Sequence, residues 1–116
     1  MNERDKTVLI KLLQYIQEIE ETIERFDTDL QTFKSDFVVK NALSMSLLQI
    51  GELAAHLTDE FRHRHPDLPW RDIVAVRNRA AHGYNSMDLE LVWGMIQNRI
   101  PELKTFCENI LAESGK

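Results

Sequence analysis

The chain is poor in cysteine, proline and glycine, with one, three and four of them in 116 residues. Cys107 has no second cysteine to close an intrachain disulfide with, so a reducing cytoplasm suits the chain. So few prolines and glycines encode no long loop or linker, and one domain over residues 1–116 is expected. No stretch approaches the roughly 20 apolar residues needed to cross a bilayer. The opening Met1-Asn2-Glu3-Arg4-Asp5-Lys6 has no apolar run behind a basic head, which argues against a signal peptide. Positive charge is also in short supply: 14 basic against 19 acidic residues give a net charge of −5. That excludes a protein that coats nucleic acid through bulk charge. Strand signals are missing as well.

What is present is helical periodicity. Leu9, Leu12, Ile16, Ile19, Ile23, Phe26, Leu30 and Phe33 step by three and four residues in alternation. Asp27-Thr28-Asp29 favours caps and turns, so the reading is a long first helix to about Phe26 and a short one after it. A second long helix is expected from Ser35 as N-cap, with Asp36 in its first turn, to the stop at Pro66. Its apolar face is Val39, Leu43, Leu47, Ile50, Leu53, Leu57 and Phe61. Pro69 suits the first turn of a third helix, whose inner face is Trp70, Ile73, Val74, Ala80 and Ala81 and whose end is Gly83. A fourth helix follows Asp88 with Leu89, Val92, Trp93, Ile96, Ile100, Leu103, Cys107, Ile110 and Leu111, and Pro101 should kink it or split it. The class is all-α, an up-and-down bundle of four to five helices.

The charge is uneven. Between Arg62 and Tyr84 five arginines face Asp67 and Asp72, a local +3, which leaves −8 for the remainder. An anionic ligand should approach that segment. Within it, Arg77-Asn78-Arg79-Ala80-Ala81-His82-Gly83-Tyr84 places an arginine and a histidine at a fixed spacing near a helix end. Arginine offers a phosphate a planar fork of donors and keeps its charge near neutrality. Histidine gives or takes a proton there. A phosphate clamp plus a proton shuttle is the minimum needed to cut RNA without a metal.

Each residue also has a plainer reading. Arg77 continues the third helix's apolar stripe, seven residues from Trp70, and an internal ion pair with Glu52 would account for it. His82 could serve only the helix dipole. Asn78, four residues before His82 on the same face, could orient the imidazole, bind phosphate or simply be exposed. Arg79 reads as a solvated or phosphate-steering charge, and Tyr84 as a ring packed on a neighbouring helix. Positions 77 and 82 point about 140° apart on a regular helix. They meet only if the helix unwinds near Gly83, or if two copies pool their motifs across a two-fold axis.

Arg77-x4-His82-x-Tyr84 resembles the R-x4-H-x-Y signature of HepT-like toxins, a branch of the HEPN superfamily. Ile50-Gly51-Glu52-Leu53-Ala54, His65-Pro66-Asp67-Leu68-Pro69-Trp70-Arg71-Asp72-Ile73 and Asp88-Leu89-Glu90-Leu91-Val92-Trp93 read like family blocks in the family's order. Ala80-Ala81 departs from the bulkier apolar residues expected there. The resemblance implies an all-α homodimer acting as a metal-independent endoribonuclease on RNA, with its site at the dimer interface and no cofactor. It makes Arg77 and His82 the catalytic pair, with Asn78 as polar support and Arg79 beside it. It also implies a type VII-like toxin–antitoxin pair, in which a minimal nucleotidyltransferase antitoxin transfers AMP to Tyr84. The competing class is a non-catalytic helical module that binds RNA or nucleotide, or serves as scaffold to such a transferase.

Other signals carry less. His63-x-His65 with His56 suggests zinc, but flanking arginines disfavour a cation and no metal is expected. Cys107 reads as a buried small hydrophobe. Trp70, Trp93 and the methionines fit core or dimer contacts, and Glu20, Glu21 and Glu24 a solvated face.

Overall fold

The computed structural model describes residues 1–83 and 88–114, with backbone alone for 78–83. Among the described residues there are six helices and no strand: α1 (Glu3–Phe26), α2 (Leu30–Ser35), α3 (Phe37–Ala55), α4 (Asp59–Arg64), α5 (Trp70–Gly83) and α6 (Leu89–Ser114). None of these helices is long and apolar enough to cross a membrane.

Local capping chemistry sets most boundaries. Asn2 opens α1 by accepting the Asp5 N–H at 2.7 Å. Asp27 closes it in the left-handed region at φ 46°, and Asp29 opens α2 by accepting the Thr32 N–H at 2.8 Å. The break expected at Asp27-Thr28-Asp29 is therefore present. The next junction falls one residue later than expected. Asp36, not Ser35, caps α3: its Oδ1 accepts from Val38 N–H at 3.0 Å, while the Ser35 hydroxyl is committed to Gln31 C=O at 2.8 Å in α2.

The second long helix is also shorter than its pattern suggests. It ends at Ala55, and α4 starts afresh after Thr58. Leu57 and Phe61 remain buried in helical register with the preceding stripe, so periodicity runs across the break. The cause lies in α1. The buried Asp5 carboxylate accepts Thr58 N–H at 2.9 Å and Thr58 O–H at 2.8 Å, and Thr58 Oγ1 accepts Phe61 N–H at 3.1 Å. Replacing Asp5 with alanine strands the Thr58 amide and should cost about 2 kcal/mol. A urea titration should show a lower midpoint with an unchanged slope.

The core is one cluster. α1 supplies Leu9, Leu12, Ile16 and Ile19, α3 supplies Val39, Leu43, Leu47, Ile50 and Ala54, and α6 supplies Val92, Ile96, Ile100, Leu103 and Cys107. α1 packs on α3 and α6, and α3 packs on α5. Among the described side chains of α5 the buried residues are Trp70, Ile73 and Val76, with Val74 only half-buried, while the side chains of Ala80 and Ala81 lie outside the described residues. Val76 was not among the expected inner positions. Pro101 lies inside α6 without splitting it, since Ile100 and Leu103 are buried on either side of it.

Aromatic packing sets where α5 begins. Trp70, Phe61 and Phe106 meet edge to face at 5.6–6.3 Å, and His65 lies against Phe61 at 4.6 Å and Phe106 at 5.2 Å. The Trp70 indole donates to His65 C=O at 2.9 Å, which ties the connection ahead of α5 to its first turn.

Candidate active site

α5 carries the arginine–histidine motif and is helical through Gly83, so no unwinding before that residue brings positions 77 and 82 together. On an unbroken helix they point about 140° apart. Arg77 faces α3. Gly51 makes that approach possible: a Cβ there would lie 3.0 Å from Ile73 C=O and 3.1 Å from both Arg77 N and Cβ. The Arg77 side chain is half-buried, and its Nε lies 3.6 Å from Glu52 Oε2. The ion pair anticipated from the sequence is thus present. Glu52 Oε1 in turn sits 3.4 Å from His56 Nε2, and Arg4 Nε donates to His56 C=O at 3.0 Å.

Positions 71, 75, 78 and 82 share a different face of α5, by helical register. Ala75 from that face lines a groove of about 680 Å³ between α5 and α6, with Val76, Leu91, Gly94, Met95 and Asn98. Its rim carries Asp72, Glu90, Arg99 and Glu102. A Cβ on Gly94 would meet nothing within 4 Å, so the groove floor is open there. The side chains of Asn78, Arg79 and His82, and all of Tyr84, lie outside the described residues.

The positive segment narrows on inspection. Arg62 pairs with Asp59 at 2.7 Å and Arg64 with Glu60 at 2.8 Å, both within α4. Arg77 is paired too, with Glu52 across α3 and α5, and the Arg79 side chain lies outside the described residues.

The other chemically capable groups are placed elsewhere. His56 is turned to Glu52, and His65 is packed among aromatics. Among the described residues, no three His, Cys, Asp or Glu gather as a metal site would require. Cys107 is fully buried, and burial, helped by the Glu108 charge, pushes its thiol up to about 12. It stays protonated at neutral pH and is no nucleophile. Of the glutamates read as solvated, Glu20 is exposed but pairs with Lys104 at 2.8 Å.

The all-α helical bundle is consistent with a HEPN-like domain. The family model described as ribonuclease HepT-like matches residues 12–110, and the chain belongs to that family. A "Putative RNase" of Caldanaerobacter subterraneus subsp. tengcongensis is 35% identical over 97 residues, covering 83% of this chain and 87% of that protein. A "Probable ribonuclease HepT" of Thermococcus cleftensis is 31% identical over 94 residues, covering 79% and 86%. A "Putative RNase" of Methanocaldococcus jannaschii is 29% identical over 105 residues, covering 90% and 94%. No solved structure matches the chain.

Proposed function

We propose that this member of the ribonuclease HepT-like family is a metal-independent endoribonuclease whose active site is assembled from two copies of the chain. The observation that supports the reading is the continuous α5 helix with Arg77 on the α3 side, because positions 77 and 82 lie about 140° apart around an unbroken helix. One chain offers its phosphate clamp and its proton shuttle in different directions. A two-fold axis beside α5 brings the arginine of one copy near the histidine of the other. The open floor at Gly94 leaves room for a second copy in the α5–α6 groove.

In this site His82 takes the proton of a ribose 2′-hydroxyl. The oxygen then attacks the adjacent phosphorus, and Arg77 stabilises the charge that grows on the phosphate. The second copy's histidine delivers a proton to the departing 5′-oxygen. The products are a 2′,3′-cyclic phosphate and a 5′-hydroxyl, and no metal or other cofactor enters the balance. Asn78, one turn before His82, orients the imidazole or contacts phosphate, and Arg79 steers the RNA.

The same reading makes the protein a toxin of a type VII-like toxin–antitoxin pair, restrained by a minimal nucleotidyltransferase that adds AMP to Tyr84. The added group is a bulky anion two residues from His82, and it would oppose an RNA phosphate by volume and by repulsion. The lone, buried Cys107 suits action in a reducing cytoplasm.

The Arg77–Glu52 ion pair favours a second reading, in which the motif braces a helical RNA-binding or scaffold module without cutting. The purified protein, verified by intact mass as unmodified, should cleave RNA in EDTA and leave 2′,3′-cyclic ends. Cleavage of a 2′-deoxy substrate would overturn the 2′-hydroxyl mechanism, and no cleavage by the unmodified protein would favour the brace.

A further inference from the structure

We propose that Glu52 is a positioning residue for Arg77, orienting its guanidinium for the phosphate, and that His56 holds Glu52 in turn. The inference rests on the nuclease reading above. Arginine has a long, rotamer-rich side chain, and its value as a clamp depends on having lost that freedom before the substrate arrives. Three features of α3 remove it. Gly51 brings the α3 backbone against the Arg77 backbone, so the root of the side chain is fixed at van der Waals contact. Glu52, the next residue, meets the guanidinium at Nε, 3.6 Å from Oε2. Contact at Nε fixes one edge of the planar guanidinium and thereby its orientation. His56, one turn on, meets the other carboxylate oxygen at 3.4 Å, and its carbonyl is tied to Arg4 of α1. Glu52 therefore has one oxygen for each neighbour and is itself held.

Stability is a poor explanation for this pair. The two side chains are 33% and 47% exposed, and ion pairs of that exposure contribute little to folding. Glu20–Lys104 is a matched case, with Glu20 50% exposed and 2.8 Å from its partner on the far side of the bundle. Glu52 differs in what it holds.

The test is steady-state RNA cleavage in EDTA by wild type, Glu52→Gln, Glu52→Asp, His56→Gln and Glu20→Gln, with melting temperatures recorded for each. Glu52→Gln should lower kcat by about tenfold while KM changes much less, because orientation matters most in the transition state. Glu52→Asp keeps the charge and should recover part of the loss. His56→Gln should lower kcat by about threefold, since it acts only through Glu52. Glu20→Gln should cut at the wild-type rate. If Glu52→Gln fails to fold, Glu52→Asp and His56→Gln carry the test, and wild-type rates in both overturn the proposal. So does a wild-type kcat in Glu52→Gln, or an equal loss in Glu20→Gln. A wild type that cuts nothing removes the nuclease reading and this inference with it. A wild type that cuts beside an unimpaired Glu52→Gln removes the inference alone.

Discussion

Replacing His82 with alanine should lower RNA cleavage by about 10²- to 10⁴-fold, the range for losing a positioned acid–base group. The melting temperature should stay close to that of wild type. Arg77→Ala should be comparably inactive, because the charge on the phosphate loses its preorganised partner. The decisive experiment mixes the two inactive proteins and lets them exchange subunits. A site pooled between copies gives the mixed dimer one intact arginine and one intact histidine together, without the second histidine as acid, so cleavage should return to a small but measurable fraction of wild type. A site confined to one chain would leave both halves of the mixed dimer incomplete, with no activity regained. In a brace, His82→Ala would instead loosen the dimer, which sedimentation would register at once.

Gly51→Val should have the largest effect on stability among single changes near the site. A Cβ alone would sit at 3.0–3.1 Å from backbone of α5 at Ile73 and Arg77, and backbone cannot rotate aside as a side chain can. Valine adds two methyl groups to that contact, so α3 and α5 must separate. The expected cost is about 3 kcal/mol, at the upper end for overpacking. Cleavage per folded molecule should fall as well, because the same movement shifts Arg77 relative to Glu52. Chemical denaturation and cleavage assays on the same preparation would separate the two losses. A valine variant as stable as wild type would show that α5 can retreat from α3 at little cost.

Much of this arrangement was readable in advance, for local reasons. The α1–α2 break was legible because Asp27 and Asp29 cap helices through their own neighbours. The Arg77–Glu52 pair was legible because a charge that continues an apolar stripe needs a partner across the helix interface. Cys107 was legible as core from its place on an apolar face. Boundaries failed where the deciding group is remote in the chain. Leu53, Leu57 and Phe61 keep helical spacing across His56-Leu57-Thr58, and nothing nearby announces a stop. Asp5 makes the break, from 53 residues away. At Pro101 the local rule asks for a kink or a split, and α6 is not split, with Ile100 and Leu103 buried on either side.

The sequence by itself determined an all-α chain, the arginine–histidine spacing and the family, because apolar period and residue type act within a few neighbours. Tertiary structure alone decided how closely α5 approaches α3 at Gly51, that His56 joins the Arg77–Glu52 pair, and that α5 stays helical to Gly83. A helix leaves its rotation about its own axis open until it packs. In α5 that rotation is set by Gly51 and the core around Trp70, Ile73 and Val76. Helical period separates Arg77 and position 82 by about 140° whatever that rotation is, which is why the proposed site draws on a second copy.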